Sequence, residues 1–157
     1  MILCKTKKVK IKAPTEAQEQ IEIIRWWRQE CCLGFQFWSN ALFHIPNGGG
    51  RHIIEATRLK KEGVVSGVPD LFLAIPRGSF HGLWIELKRT KGGSIKPEQR
   101  EFMAFLRGQG FCAFVCKGAL AAKELIYNYL SAPDNLTFTD LIYKGGSNGT
   151  NGANCAA

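Results

Sequence analysis

The spacing of hydrophobic residues near the start of the chain predicts an amphipathic helix. Apolar side chains recur there at intervals of three and four residues, which places them on one helical face. These positions are Ala17, Ile21, Ile24 and Trp27. Thr15 can cap the first turn while Gln18 reaches back to it, and the helix is expected to end near Glu30.

Shorter β-prone segments follow this helix. Residues 35–45 are aromatic and predict a strand, and after the break at PNGGG (46–50) residues 51–62 predict a charged second helix. Residues 71–75 and 82–88 predict two more strands, which are mainly apolar. The connection between these two is short, so we expect an antiparallel hairpin.

The second half of the chain predicts two more helices around one strand. Pro97 suits the first turn of a helix over residues 97–109, followed by a strand at 111–116 and a final helix at 119–130. A whole helix separates the strand at 111–116 from the one at 82–88, so these two should run parallel. The predicted buried positions of the two helices are Phe102, Phe105, Leu106, Leu120, Leu125, Ile126 and Tyr129.

These elements predict an α/β fold in which helices flank a small mixed β-sheet, in the order α-β-α-β-β-α-β-α. At 157 residues the chain is the size of one domain. We expect a basic N-terminal arm at residues 1–13, the folded domain at 14–132, and a C-terminal tail at 133–157 that is disordered from about residue 145.

The charge balance favours a polyanionic partner. The formal net charge is +8, with 21 Lys and Arg against 13 Asp and Glu, and such a surface suits nucleic acid. No apolar stretch has the length of a membrane span or a signal peptide, so we expect a cytoplasmic protein that does not enter a membrane. The six cysteines lack metal-binding spacing and are expected to be reduced, with Cys112 and Cys116 buried on one face of a strand.

Three charged residues stand in or beside the predicted hairpin, where apolar residues are the norm. In the strand at 84–88, Glu86 and Lys88 share one face while Ile85 and Leu87 share the other. Antiparallel pairing would bring Asp70, at the start of one strand, close to Glu86 near the end of its partner. A surface ion pair between Glu86 and Lys88, with Asp70 as a turn residue, is the simpler alternative.

The chemistry of these residues suits a divalent metal. Asp70, Glu86 and a backbone carbonyl, for which we take that of Leu87, would be hard oxygen ligands for Mg²⁺. A cation held there could activate water and stabilise charge on a phosphodiester under attack. Lys88 would orient the nucleophile or neutralise that charge.

Three segments of the sequence resemble the signature of one nuclease family. GVPDL (67–71), IELK (85–88) and KPEQ (96–99) are similar to the VRR-NUC (virus-type replication-repair nuclease) branch of the PD-(D/E)XK nucleases. The resemblance runs from about residue 16 to residue 130 and includes the first helix and the segment IPNGG (45–49). It implies a restriction-endonuclease-like core.

The resemblance also implies roles for individual residues. Asp70 and Glu86 would bind metal, Lys88 would be the catalytic lysine, Glu16 would complete the acidic and metal-binding cluster, and Gln99 would support the site from its helix. Two other acids on the first helix compete with Glu16 for its role, and Gln99 is equally suited to a helix surface. The two competing acids are Glu19 and Glu22.

Basic and glycine-rich segments flank the expected site. The loop that opens the second helix could bring bare amides close to a phosphate, or it could be a flexible connector. Together with nearby basic side chains it gives the candidate DNA contacts Asn47, Gly48, Gly49, Arg51, Arg89, Lys91 and Lys96. Each of these cations could equally be a solvated surface charge.

The leading hypothesis is a Mg²⁺-dependent DNA endonuclease that also accepts Mn²⁺. Small members of the family, often from phages, resemble Holliday-junction resolvases and act as dimers, which implies a homodimer selective for branched DNA in phage or bacterial replication, recombination or repair. The alternatives are a non-catalytic DNA-binding module that retains the fold and a sequence-specific restriction-type endonuclease. The sequence identifies no protein partner such as a helicase.

Overall fold

The computed structural model describes residues 13–46, 53–90, 92–133, 135 and 141. The described elements follow the predicted order α-β-α-β-β-α-β-α, with one short 3₁₀ turn before the first strand. The helices are α1 (Glu16–Leu33), α2 (Ile53–Lys61), α3 (Pro97–Gly108) and α4 (Gly118–Leu130), and the strands are β1 (Leu42–His44), β2 (Leu71–Leu73), β3 (Leu83–Lys88) and β4 (Cys112–Lys117).

The strands form one mixed sheet in the order β1-β2-β3-β4. β1 and β2 are antiparallel, β2 and β3 form the predicted antiparallel hairpin, and β3 and β4 are parallel, as expected for strands joined through α3. The hairpin register pairs Leu71 with Ile85 and Leu73 with Leu83. This register fixes which residues of β2 and β3 share a face of the sheet.

Helices cover both faces of the sheet. On one face, Ile23 and Trp27 of α1 and the buried residues of α4 pack on the strands in the main hydrophobic core. On the other face, Met103 and Leu106 of α3 pack on Ala113 and Val115 of β4 in a smaller cluster. Both faces of β3 are therefore buried, whereas the sequence predicts core on one face only.

The first helix begins as predicted but buries a different stripe. The Thr15 side chain accepts a hydrogen bond from the Gln18 backbone N–H at 3.2 Å, and Gln18 accepts one from the Thr15 N–H at 2.9 Å. The expected buried positions Ala17 and Ile21 are exposed, Ile21 by 58%. Trp27 is fully buried as predicted and Ile24 is partly buried, while Glu19 and Ile23 are the buried positions that the prediction omits.

Two other predicted core positions are also wrong. Phe105 of α3 and Leu120 of α4 are exposed, while Met103, which the sequence prediction omits, is buried. Each helix contacts the sheet through a stripe narrower than its apolar surface, so part of that surface is left over. Cys112 and Cys116 are both buried, as predicted.

Most of the aromatic segment before β1 packs against Trp27 of α1 and does not form a strand. Of the predicted strand at 35–45, only Leu42–His44 pairs with the sheet. The rings of Phe35 and Phe37 lie 5.9 and 6.3 Å from that of Trp27. The Trp27 Nε1–H donates to the Ser39 carbonyl at 2.9 Å. Contacts with Trp27 therefore determine the conformation of this segment up to β1.

Among the described residues, no helix combines the length and the apolar character that crossing a membrane requires.

A single buried hydroxyl links α4 to the chain that follows β2. The fully buried Tyr129 donates its hydroxyl hydrogen to the Ile75 carbonyl at 2.8 Å. Tyr129→Phe should therefore lower the free energy of unfolding by about 1–2 kcal/mol, because the Ile75 carbonyl loses its donor in a buried setting. Urea denaturation measures this effect. The matched control is Tyr127→Phe on the exposed side of the same helix, and equal losses in the two variants would contradict the assignment.

Candidate active site

Asp70 and Glu86 lie side by side at one end of the hairpin. Continuing the β2–β3 register by one residue beyond the Leu71–Ile85 pair places Asp70 opposite Glu86. The Asp70 Oδ2 accepts a hydrogen bond from the Leu87 N–H at 2.8 Å. The structure thus brings together the two carboxylates that the sequence predicts to converge.

The backbone of Asp70 is held by the neighbouring strand. Its carbonyl oxygen accepts from the Ile45 N–H at 2.9 Å and lies 2.8 Å from the His44 Nδ1. A carbonyl accepts only, so the hydrogen bond with His44 requires a proton on Nδ1. β1 and β3 together fix both the main chain and the side chain of Asp70.

Glu86 and Lys88 form a buried ion pair. Lys88 Nζ donates to Glu86 Oε1 at 2.6 Å. Glu86 is 1% exposed and Lys88 is 8% exposed, which excludes the alternative of a surface pair. A buried pair of this kind is strongly destabilised when one partner is removed.

Gln99 joins the first turn of α3 to this pair. Its Nε2 donates to the same Glu86 Oε1, and its Oε1 accepts from the Lys96 N–H at 3.0 Å. Both ends of the amide are used, so its orientation is defined by its partners. Gln99 therefore touches the site and is more than a helix-surface residue.

The two oxygens of Glu86 differ in their surroundings. Among the described residues, Glu86 Oε2 is buried and makes no hydrogen bond, while Oε1 receives both Lys88 and Gln99. A buried acceptor without a donor costs about 1–3 kcal/mol or more when it is charged. A cation bound to Oε2 would remove this energetic cost.

The electrostatics of the carboxylate pair favour protonation in the absence of a cation. The pKa of Glu86 is raised to about 7, chiefly by burial and also by the Asp70 charge, against the lowering interaction with Lys88. Burial also raises the pKa of Asp70, against the lowering effects of the Leu87 N–H and of Lys88. Bringing positive charge to this point would reverse both shifts.

Glu16 is the acid of α1 that faces the pair. Its charge raises the pKa of both Asp70 and Glu86, and its Oε1 accepts from the Arg89 N–H at 3.3 Å. The competing acid Glu22 instead accepts from Lys123 at 2.7 Å.

Glu19 has a structural contact that the sequence does not reveal. It is buried, and its two oxygens accept from the Thr90 hydroxyl at 3.1 Å and from the Ala119 N–H at 2.7 Å. These bonds tie α1 to the end of β3 and to the first turn of α4. Only tertiary pairing distinguishes Glu19 from the other acids of the helix, so no local pattern predicts this role.

The turn before Asp70 packs against the start of α3. Gly67 has a φ of +90°, and a Cβ there would lie 2.5 Å from the Glu98 carbonyl oxygen. Only glycine combines this backbone conformation with so close an approach. The turn therefore fixes Asp70 and Gln99 relative to each other.

The basic residues predicted to contact DNA are only partly covered by the described structure. Arg89, directly after β3, and Lys96, directly before α3, are exposed beside the site. The remaining candidates lie outside the described residues; these are Asn47, Gly48, Gly49, Arg51 and Lys91.

In the parts of the chain that the structure describes, no three His, Cys, Asp or Glu side chains are arranged to hold a metal ion. Asp70 and Glu86 form a two-carboxylate centre with Glu16 nearby. Mg²⁺ commonly uses one or two carboxylates and keeps several waters, so the donor set present fits this ion.

In metal-free buffer the free energy of unfolding should fall as the pH rises from about 4.5 to about 7. Folded Glu86 holds its proton up to about pH 7, above its ordinary pKa of 4.5, so stability is greatest below the unfolded value and is lost as the folded group ionises. The loss is up to about 3 kcal/mol. Urea denaturation with a chelator measures it across this range.

The pH dependence has a matched pair of variants. Glu86→Gln should flatten the slope, whereas Glu98→Gln, at an exposed position of α3, should leave it unchanged. Stability that stays constant across the range in the unsubstituted protein would contradict the buried carboxyl.

Comparison with known proteins identifies the family of this chain. The family model of the VRR-NUC domain matches residues 14–120. A solved structure described as a VRR-NUC domain protein is 30% identical to this chain, with a TM-score of 0.65 over 79% of this chain and 94% of that one. No curated protein matches. The chain therefore belongs to the VRR-NUC family, a nuclease-type domain of the PD-(D/E)XK superfamily.

Proposed function

We propose that the protein is a divalent-metal-dependent endonuclease that hydrolyses DNA phosphodiester bonds. The observation that carries the proposal is Glu86 Oε2, which is buried beside Asp70 and has no hydrogen-bond partner among the residues that the structure describes. Lys88 and Gln99 both bind Oε1, so the other oxygen stays available for a cation. Membership of a nuclease-type family supports the same conclusion.

Asp70, Glu86 and the Leu87 carbonyl are the proposed metal ligands. Leu87 donates its N–H toward Asp70, and in an extended strand the N–H and carbonyl of one residue lie on the same side. Its carbonyl is thus directed to the end of the hairpin where β2 has stopped. A bound Mg²⁺, for which Mn²⁺ can substitute, would lower the pKa of a water and neutralise charge on the phosphate.

The remaining site residues hold Glu86 in place and set the charge around the carboxylates. Gln99 and Lys88 fix the rotamer of Glu86, and the Lys88 ammonium can donate to the attacking oxygen or to a phosphate oxygen once the cation shares the carboxylate. Glu16 adds negative charge beside the pair. Its Oε1 accepts from the Arg89 N–H, so its other oxygen would be the one to bind the cation directly or through a water.

DNA is the substrate that best suits the surroundings of the site. The net charge is +8, and the exposed Arg89 and Lys96 flank the carboxylates, where each can neutralise a phosphate. A module that only binds DNA gains nothing from two carboxylates near the phosphates, because they repel the ligand. This electrostatic cost favours catalysis over binding alone.

We further infer a preference for branched DNA and a homodimer. A single centre cuts one strand, so symmetric cleavage of a junction needs two copies related by a two-fold axis. We assign the nuclease domain to residues 14–132, an assignment that the family match over residues 14–120 supports.

Removing either carboxylate or the lysine should abolish cleavage. Asp70→Asn, Glu86→Gln and Lys88→Met should each lower the rate at least about 100-fold, because each removes charge that acts on the transition state. The assay offers junction, flap and linear DNA with Mg²⁺ or Mn²⁺. Glu98→Gln, on the exposed surface of α3, is the control. No product from the unsubstituted protein, or equal product from Lys88→Met, would contradict the mechanism.

Two acids of α1 should differ in the same assay. Glu16→Gln should reduce the rate and raise the Mg²⁺ concentration needed for half-maximal activity, because its charge acts on both site carboxylates. Glu22→Gln should preserve both quantities, since Glu22 is an exposed partner of Lys123. The reverse order would assign the third acid to Glu22.

A further inference from the structure

A row of aromatic rings crosses the sheet beside the carboxylates. Phe43 of β1, Phe72 of β2 and Trp84 of β3 are partners in the strand register. The Phe43 and Phe72 rings are 5.7 Å apart and nearly perpendicular, and Phe72 stacks on Trp84 at 4.4 Å. Phe111, before β4, continues the row at 6.0 Å from Phe72.

The aromatic row and the carboxylates lie on the same face of the sheet. Side chains two residues apart in a strand share a face, which relates Phe72 to Asp70 and Trp84 to Glu86. Strand spacing places Phe43 about 8 Å from Asp70, two residues along and one strand across. The rings are therefore neighbours of the proposed reaction centre.

The inner rings of the row are packed within the sheet, and its outer ring is exposed. Gly82 makes room for the Phe72 ring, because a Cβ there would lie 2.7 Å from Phe72 Cε2. Phe72 and Trp84 are half-buried, whereas Phe43 on the edge strand β1 is 41% exposed. Phe43 thus presents an aromatic surface to solvent on a fixed support.

We propose that Phe43 stacks against an unpaired nucleobase of the DNA bound at the site. The inference rests on the proposed nuclease function and adds a determinant of substrate choice. A phosphate held near Asp70 and Glu86 would bring an adjacent base within reach of Phe43. Stacking accepts any base because every base has a π-face.

Stacking on Phe43 would select distorted DNA over regular duplex. A base in a duplex must be unstacked and unpaired first, which costs a few kcal/mol, while a base at a branch, flap or bulge has already lost its pairing. The chain is strongly basic, so DNA complements its charge better than an uncharged apolar protein surface would.

The test compares two DNA molecules that differ by one base. One is a flap or bulge with an unpaired base, and its counterpart carries an abasic site at that position. Binding is measured by fluorescence anisotropy with a chelator, so that no cleavage occurs. The unsubstituted protein should bind the base-containing DNA about 10-fold more tightly or better, the range expected for one stacked base.

Variants of Phe43 assign this preference to the ring. Phe43→Ala and Phe43→Leu should bind both DNA molecules equally, and Phe43→Tyr should keep the preference, since it keeps the π-face. Phe43→Leu retains apolar bulk, so its result separates stacking from simple loss of packing. Phe105→Ala is the matched control, because Phe105 is also exposed, by 58%, but lies outside the row.

Equal binding of the two DNA molecules by the unsubstituted protein would overturn the proposal. So would a preference that survives in Phe43→Leu, or a dimer that dissociates in Phe43→Ala with no change in base preference, which would assign Phe43 to a subunit interface. The nuclease proposal is tested separately. Cleavage without base preference refutes stacking alone, whereas base preference without cleavage refutes the nuclease activity alone.

Discussion

The arrangement of the site depends on the hydrogen bonds of one buried carboxylate, that of Glu86. Glu86 is buried in β3, and both of its hydrogen-bond donors, Lys88 and Gln99, act on the same oxygen. Two donors hold Oε1 in place, and within the described part of the chain Oε2 has no hydrogen-bond partner. A polar group held in a costly state is typical of functional sites, where the surrounding fold supplies the stability that the site itself does not.

The surrounding fold supplies that support from three directions. α3 brings Gln99 through its first turn, and Gly67 allows the turn before Asp70 to approach that helix closely. α1 is fastened near the end of β3 by Glu19, whose oxygens bind Thr90 and the first turn of α4. Because Glu16 lies one turn before Glu19, the same attachment holds Glu16 near the carboxylate pair. The hydrogen bonds of Glu19 thus determine the position of Glu16.

Local patterns predict the parts of this structure that depend on local geometry. Alternation within 84–88 correctly places Glu86 and Lys88 on one face, and the short hairpin connection correctly brings Asp70 to them. Apolar spacing in α1 correctly identifies Trp27 but not Glu19, because the burial of Glu19 depends on Thr90 and Ala119 far along the chain. Residues 35–41 likewise pack against Trp27, although their β propensity predicts a strand. Tertiary packing overrides propensity in both cases.

The register of the hairpin links the chemistry of the site to its aromatic neighbourhood. The alternation that turns Asp70 and Glu86 to one face also turns Phe72 and Trp84 there. A slip of one residue in one strand would send its carboxylate and its ring to the opposite face together. The acids therefore cannot be positioned without the rings. A phosphate bound through a cation at the acids would lie beside an aromatic surface whose exposed end is Phe43. One set of strand pairings thus positions both the proposed metal ligands and the proposed stacking surface.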